Sequence, residues 1–115
     1  MKKVRVIFSP EAEEVYRHLN EIAPNSKIDR SILNAINKKV EFIKINIHYG
    51  EPIAKRLIPD EYKIKYEATN LFRVELPNFW RMMYTLTDGE SQIEIVAFVL
   101  DVLDHKDYDK KFGYK

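Results

Sequence analysis

The spacing of the apolar residues changes once along this chain, and that change limits the folds open to it. Between residues 12 and 47, apolar side chains recur every three or four positions, as on one face of an α-helix. From residue 72 to residue 86 they alternate with polar ones, as in β-strands that bury one face. Because the apolar face of the helices and that of the strands must each be buried against another element, the pattern predicts a two-layer α+β domain.

The first half of the chain predicts a strand followed by two helices. Val4 to Phe8 is β-branched and aromatic, which favours a strand. Ser9-Pro10-Glu11 then supplies a helix N-cap, a proline at the first helical position and an acidic first turn. Pro24 ends that helix, a second begins near Ser26, and Gly50 is its expected stop.

Three strands are predicted in the second half, over Leu71 to Leu76, Phe79 to Leu86 and Ile93 to Val102. Pro77-Asn78 and Asp88-Gly89 separate them and indicate hairpin turns. The predicted architecture is therefore β-α-α-β-β-β, an antiparallel β-sheet meander packed against an N-terminal helical hairpin.

Residues 51–70 are mixed, and we interpret them as a long connection that contains a short strand around Tyr62 to Tyr66. The register of the hairpin that follows can be argued from its alternation. Burying both apolar sets pairs Val74 with Met82, and the opposite face then places Glu75 across from Arg81 with Arg73 as a diagonal neighbour of Arg81.

Composition limits the function classes. The 115 residues fit one domain, so we interpret 1–115 as a single unit. Hydrophobic residues make up 45% and charged residues 32%, which excludes a disordered chain. The absence of cysteine excludes disulfides and thiolate metal sites. A formal net charge of +1 means that any nucleic-acid-binding surface must be local.

A cytoplasmic location is expected. The start, Met1-Lys2-Lys3, is followed by only a short apolar run and so lacks the core of a secretory signal. No stretch is long enough to cross a bilayer, which predicts no membrane association.

Two segments carry a family resemblance. Leu71 to Leu76 leads into Phe79-Trp80-Arg81-Met82-Met83-Tyr84, and the chain continues to the tail Asp104-His105-Lys106-Asp107-Tyr108. With the order of elements, these segments resemble the RelE/ParE superfamily of type II toxin-antitoxin toxins over nearly the whole chain. Gly50-Glu51-Pro52 also resembles the loop in which the YoeB-like branch places a catalytic glutamate.

The resemblance implies a RelE-like fold and a toxin that inhibits translation as a ribosome-dependent mRNA endoribonuclease, an mRNA interferase. In such enzymes a ribose 2′-hydroxyl attacks the adjacent phosphate. The step needs a base, a cation for the phosphorane and an acid, but no metal. Implied partners are a cognate antitoxin and mRNA on the ribosome, with no cofactor and no metal.

The residues matching the family's catalytic positions are Arg81, His105, Tyr108 and Glu51. Arg81 matches the arginine that stabilises the phosphate, and His105 the acid or base beyond the final strand. Tyr108 matches the tail aromatic, and Glu51 is a candidate general base. The residues implied to hold RNA phosphates are Lys55, Arg56 and Arg73.

Two departures from the family pattern keep other functions open. Where the archetypal branch alternates two lysines on the strand, this chain has Arg73 and Glu75, and the tail carries several aspartates. Arg81 and Glu75 could form only a surface ion pair. The alternatives are therefore a ParE-like inhibitor of DNA gyrase and a catalytically inactive family member that only binds an antitoxin.

Overall fold

Two helices cover one face of a mixed β-sheet. The computed structural model of the protein describes residues 3–89 and 94–113. Within them, strands β1 to β5 span Lys3–Phe8, Glu51–Pro52, Phe72–Glu75, Arg81–Asp88 and Glu94–Leu103. Helices α1 to α4 span Pro10–Ile22, Lys27–Ile45, Asp60–Tyr66 and His105–Phe112. The predicted α+β class, with two N-terminal helices packed on a mostly antiparallel sheet, is confirmed.

The two predicted N-caps are in place. The Ser9 hydroxyl accepts a hydrogen bond from the Ala12 amide at 3.0 Å, and the Ser26 hydroxyl accepts one from the Asp29 amide at 3.3 Å. Helix α2 ends at Ile45, earlier than the predicted stop at Gly50. Gly50 has another reason to be glycine, since a Cβ there would lie 3.0 Å from the Phe72 Cβ.

The strands lie in the order β1-β5-β4-β3-β2. The predicted hairpin register is confirmed, because Val74 pairs with Met82 and Glu75 with Arg81 in antiparallel β3 and β4. The apolar side chains of this face pack against α1 and α2. They form a core that includes Leu19, Ile32, Ile36, Val74, Met82 and Tyr84.

Strand β1 departs from the predicted meander. It lies at the sheet edge and runs parallel to β5, from Lys3 opposite Glu94 to Phe8 opposite Val99. Helices α1 and α2 follow β1 and cover the sheet, which lets the chain return to the far edge through β2.

The opposite face of the sheet is buried too, under α3 and α4. Tyr62, Leu71, Met83, Leu100 and Tyr108 belong to this second core. The predicted strand at Tyr62 to Tyr66 is therefore wrong, since these residues form the end of helix α3. Helix formation is favoured by Pro59 immediately before the helix and by two acidic residues in its first turn.

A β-bulge in β5 contributes a residue to the second core. Met83 pairs with Asp101 and Tyr84 with Val99, so Leu100 has no partner on β4. The Leu100 carbonyl instead accepts a hydrogen bond from the buried Ser9 hydroxyl at 2.7 Å. The bulge lets Leu100 join the second core while Asp101 contacts α3.

Strands β4 and β5 pair as the predicted hairpin, from Arg81 opposite Leu103 to Asp88 opposite Ile95. Residues 90–93, which include the predicted first strand residue Ile93, lie outside the described residues. None of the helices in 3–89 and 94–113 is long and apolar enough to cross a membrane.

Candidate functional site

A continuous set of polar contacts lies on the second face of the sheet. We call it the arginine cluster. Its members are Glu51, Arg73, Glu75, Arg81, His105 and Tyr108. They come from β2, β3, β4 and α4, so the cluster exists only in the folded chain.

Strand alternation and helix geometry place these side chains together. Because Val74 is buried under α2, its neighbours Arg73 and Glu75 project to the second face. Helix α4 begins at His105, where the Asp104 carboxylate caps it by accepting from the Asp107 amide at 2.8 Å. Helical spacing then directs His105 and Tyr108 towards the same strands.

Glu75 lies between the two arginines. Its Oε1 is 3.3 Å from Nε of Arg73 and its Oε2 is 3.3 Å from Nε of Arg81. Both Nε atoms are buried without a well-aligned hydrogen bond, so the attraction is an ion pair of poor hydrogen-bond geometry. The Glu75 side chain is 58% exposed, and each pair is therefore worth only about 0.2 to 1 kcal/mol.

Arg73 joins the cluster to the β2 edge. Its Nη1 donates to the Tyr108 hydroxyl at 2.8 Å, and its Nη2 donates to Oε2 of Glu51 at 2.7 Å. The hydrogen bond to Tyr108 raises the pKa of Arg73 above its ordinary value, and Glu51 raises it by a smaller amount. Burial acts in the opposite direction but does not cancel these effects. Arg73 is therefore a permanent cation.

Arg81 is held from three directions. Its Nη1 donates to the Phe79 carbonyl and lies 3.2 Å from Nδ1 of His105. Its guanidinium carbon stands 4.7 Å from the centre of the Tyr108 ring, within the range of a cation-π contact. The Arg81 side chain is only 14% exposed, so its position is well determined by its neighbours.

These contacts favour one tautomer of His105. A guanidinium can only donate, so Nδ1 of His105 is an acceptor and carries no proton in this arrangement. Nε2 lies 3.2 Å from Oδ2 of Asp109, to which it donates. We therefore assign the tautomer with its proton on Nε2 and the Nδ1 lone pair facing Arg81.

The cluster unites most of the predicted site residues. Arg81 contacts both His105 and Tyr108, and Arg73 connects them to Glu51. Tyr108 is 2% exposed, which suits it to positioning the arginines more than to touching a substrate. The predicted phosphate ligands Lys55 and Arg56 lie apart, exposed in a short 3-10 turn, and the described residues give neither a contact with the cluster.

Two residues that sequence analysis did not select also adjoin His105. Asp109 follows it by one helical turn, a spacing that the Asp104 cap could have indicated. Phe79, predicted as a strand residue, lies in a turn with φ of 63°, is 69% exposed and stands 5.7 Å from the His105 ring. Asn78 and Phe79 both have the left-handed backbone conformation, and the sequence carries no clear signal of it at Phe79.

The described residues contain no group of three or more histidine and carboxylate side chains that could hold a metal ion. Comparison of the chain with protein-family models, curated proteins and solved structures finds no match.

Proposed function

We propose that this protein is the toxin of a type II toxin-antitoxin system, of the RelE/ParE kind, and that it cleaves mRNA on the ribosome. The observation that carries the proposal is the contact of Arg81 with both His105 and Tyr108. A fixed cation beside an imidazole lone pair supplies charge stabilisation and a base at one place. A cytoplasmic location follows from this function.

The cleavage forms a bond from the ribose 2′-oxygen to phosphorus and breaks the bond from phosphorus to the 5′-oxygen. In the proposed mechanism, the substrate phosphate first draws the Arg81 Nη1 donor away from Nδ1 of His105. The freed lone pair of Nδ1 then takes the proton of the 2′-hydroxyl. Arg81 and Arg73 stabilise the negative charge of the phosphorane. The leaving 5′-oxygen takes a proton from solvent, and the protonated His105 gives its proton back to solvent. Solvent has access to this ring because the His105 side chain is 58% exposed. The products are a 2′,3′-cyclic phosphate and a 5′-hydroxyl.

His105 is favoured over Glu51 as the base. Its acceptor nitrogen faces Arg81, whereas Glu51 lies at the other end of the cluster, bonded to Arg73. A substrate phosphate that reaches Arg81 must displace the Glu75 carboxylate, which occupies the space between the arginines.

One observation favours a second candidate function. Glu51 and Glu75 together neutralise both arginines, which lowers the attraction of the surface for RNA. A family member that only binds an antitoxin would tolerate this arrangement. No particular contact in the cluster favours the gyrase inhibitor.

Induction of the gene separates these functions when three quantities are measured together: protein synthesis, cleavage of a reporter mRNA and supercoiling by gyrase. We expect synthesis to stop and cleavage to appear, with supercoiling unchanged. Loss of supercoiling would identify a gyrase inhibitor, and no change in any quantity would leave the antitoxin-binding function.

Because helices cover both faces of the sheet, the proposed antitoxin covers the exposed arginine cluster and the turn at residues 55–57 instead of the sheet itself. It does so with an extended or helical segment that orders on binding. Co-expression with the product of a neighbouring small open reading frame should give a complex and restore growth. A neighbour that neither binds nor relieves toxicity would count against this partner.

A further inference from the structure

A surface pocket of about 280 Å³ lies at the Glu51 end of the arginine cluster. Glu51 and Arg73 form its polar side. Tyr108 and Phe112 form an aromatic side, with their rings stacked at 4.6 Å and inclined by 26°. The pocket therefore joins the cluster but extends away from Arg81 and His105.

Its remaining wall is apolar and comes from the segment after β2. Ile53, Ala54 and Leu57 line it, and Leu57 is 51% exposed. Backbone hydrogen bonds fix this wall, from the Ile53 amide to the Leu71 carbonyl at 2.9 Å and from the Leu57 amide to the Ala54 carbonyl at 2.8 Å. An exposed leucine is thus held at the rim of a preformed cavity.

The size and lining suit a flat group with apolar faces and a polar edge. Pockets for drug-sized ligands span about 300 to 1,000 Å³, so this one is suited to a smaller group such as a single nucleobase. Bases bind proteins by stacking on aromatic and apolar walls, with hydrogen bonds to their Watson-Crick edge.

The polar side selects among the bases. A carboxylate accepts only, and guanine is the base that offers two adjacent donors, N1-H and N2-H, with the O6 acceptor beside them. Arg73 retains further N-H groups beyond those directed to Tyr108 and Glu51, and these can donate to O6. Adenine would place its N1 acceptor against the Glu51 carboxylate, which is unfavourable.

The geometry points to a guanine-binding subsite formed by Glu51, Arg73 and the wall from Ile53 to Leu57. The guanine can belong to mRNA, next to the phosphate held by Arg81, or to a soluble guanine nucleotide. The mRNA source rests on the proposed function, whereas recognition of the base itself does not.

Binding is tested first without the ribosome. The intact protein is titrated with GMP or AMP at millimolar concentrations while the methyl NMR signals of Ile53, Ala54 and Leu57 are followed. We expect saturable shifts with GMP and affinity for AMP at least about tenfold lower, as one bidentate pair discriminates by such a factor. Equal affinities, or no saturable shift with GMP, would overturn the inference.

Variants identify the groups responsible. Glu51→Gln should weaken GMP binding by about tenfold and remove the preference over AMP, because one acceptor oxygen becomes a donor. Asp60→Asn is the matched control, since Asp60 is an exposed acid outside the pocket. Ala54→Phe, which fills the cavity, should abolish the shifts of the Ile53 and Leu57 methyl signals. GMP binding that survives both pocket variants would place the nucleotide elsewhere and refute the subsite.

The source is tested by mapping cleavage in ribosome assays on mRNAs that carry guanine or adenine beside the scissile bond. Preferred cleavage beside guanine, lost in Glu51→Gln, identifies the mRNA base. Cleavage without that preference, with GMP still bound, identifies a soluble nucleotide. GMP binding without any cleavage leaves the subsite standing and removes the nuclease function, so the two failures are distinguishable.

Discussion

At the scale of single residues, Arg81 is the group on which the proposed chemistry depends most. Its guanidinium is held by the Phe79 carbonyl, the His105 ring and the face of Tyr108. Arg81→Ala should lower mRNA cleavage by about 100- to 1000-fold, the loss expected for one group that stabilises transition-state charge. The measurement is cleavage of mRNA in ribosome assays.

The control is Arg5→Ala, which removes another ion-paired arginine, on β1. Both variants should keep the far-ultraviolet circular dichroism of the wild type. A folded Arg81→Ala protein that cleaves like the wild type would eliminate Arg81 from the mechanism.

Glu75 should oppose activity rather than support it. Its carboxylate lies 3.3 Å from both arginines and competes with a substrate phosphate for them. We expect Glu75→Gln to raise cleavage, and Glu75→Lys to raise it further because it adds a cation. The free energy of unfolding should change by less than about 1 kcal/mol, since Glu75 is exposed. Reduced cleavage in both variants would mean that Glu75 takes part in the reaction.

At the scale of secondary structure elements, a buried polar contact fixes α3 and α4 on the sheet. The Tyr62 hydroxyl donates to Oδ2 of Asp101 at 2.7 Å, and Nζ of Lys111 lies 3.1 Å from the same oxygen. Burial, followed by the charge of Asp101, raises the pKa of Tyr62 above its ordinary value, so the hydroxyl remains a donor. The bulge at Leu100 is what directs Asp101 to this position.

Tyr62→Phe should therefore lower the free energy of unfolding by about 1.5 to 3 kcal/mol, the range for a hydrogen bond to a charged group. Urea denaturation measures this change. Tyr49→Phe is the control, because the Tyr49 hydroxyl contacts Lys39 at the exposed surface. Equal effects of the two substitutions would mean that the Asp101 contact adds little.

Helix α1 is attached to α3 by an acid with a low pKa. Hydrogen bonds from Lys65 and then from Tyr66 lower the pKa of Glu11 from 4.5 to about 2. A carboxyl depressed in this way adds stability that is present above its ordinary pKa and is lost as the pH falls towards 2. Glu11→Gln should be less stable than the wild type at pH 6, with the difference vanishing near pH 2. Denaturant midpoints across that range test this, and a difference that persists at pH 2 would contradict it.

Alternation predicted the β3 and β4 register well but failed for α3, for a reason visible in its residues. Tyr62, Ile64 and Tyr66 alternate with lysines, which matches a strand. Tyr62 and Tyr66 are also four residues apart, which places them on one side of a helix. Ile64 decides between the two, because it is 81% exposed and belongs to no buried face. The sequence pattern alone does not reveal that exposure.

At the scale of the whole molecule, the sheet is buried on both faces, and this was only partly predictable. Polar residues alternate on β3, and their predicted position on the second face is confirmed, because they form the arginine cluster there. Strand β5, however, is apolar at nearly every position from Ile95 to Leu103, a pattern typical of strands covered on both sides. The aromatic residues Tyr108 and Phe112, one helical turn apart, supply part of that cover.

The parallel pairing of β1 with β5 has a consequence for folding during synthesis of the protein. Strand β1 is synthesised first, yet its partner begins only at Glu94, so its ladder cannot form while the intervening chain is still being made. The arginine cluster is likewise incomplete until His105 and Tyr108 have been added. While the ribosome is making this chain, the nascent protein therefore lacks a complete arginine cluster. Under the proposed function, the toxin cannot cleave its own mRNA until residues beyond 103 have emerged.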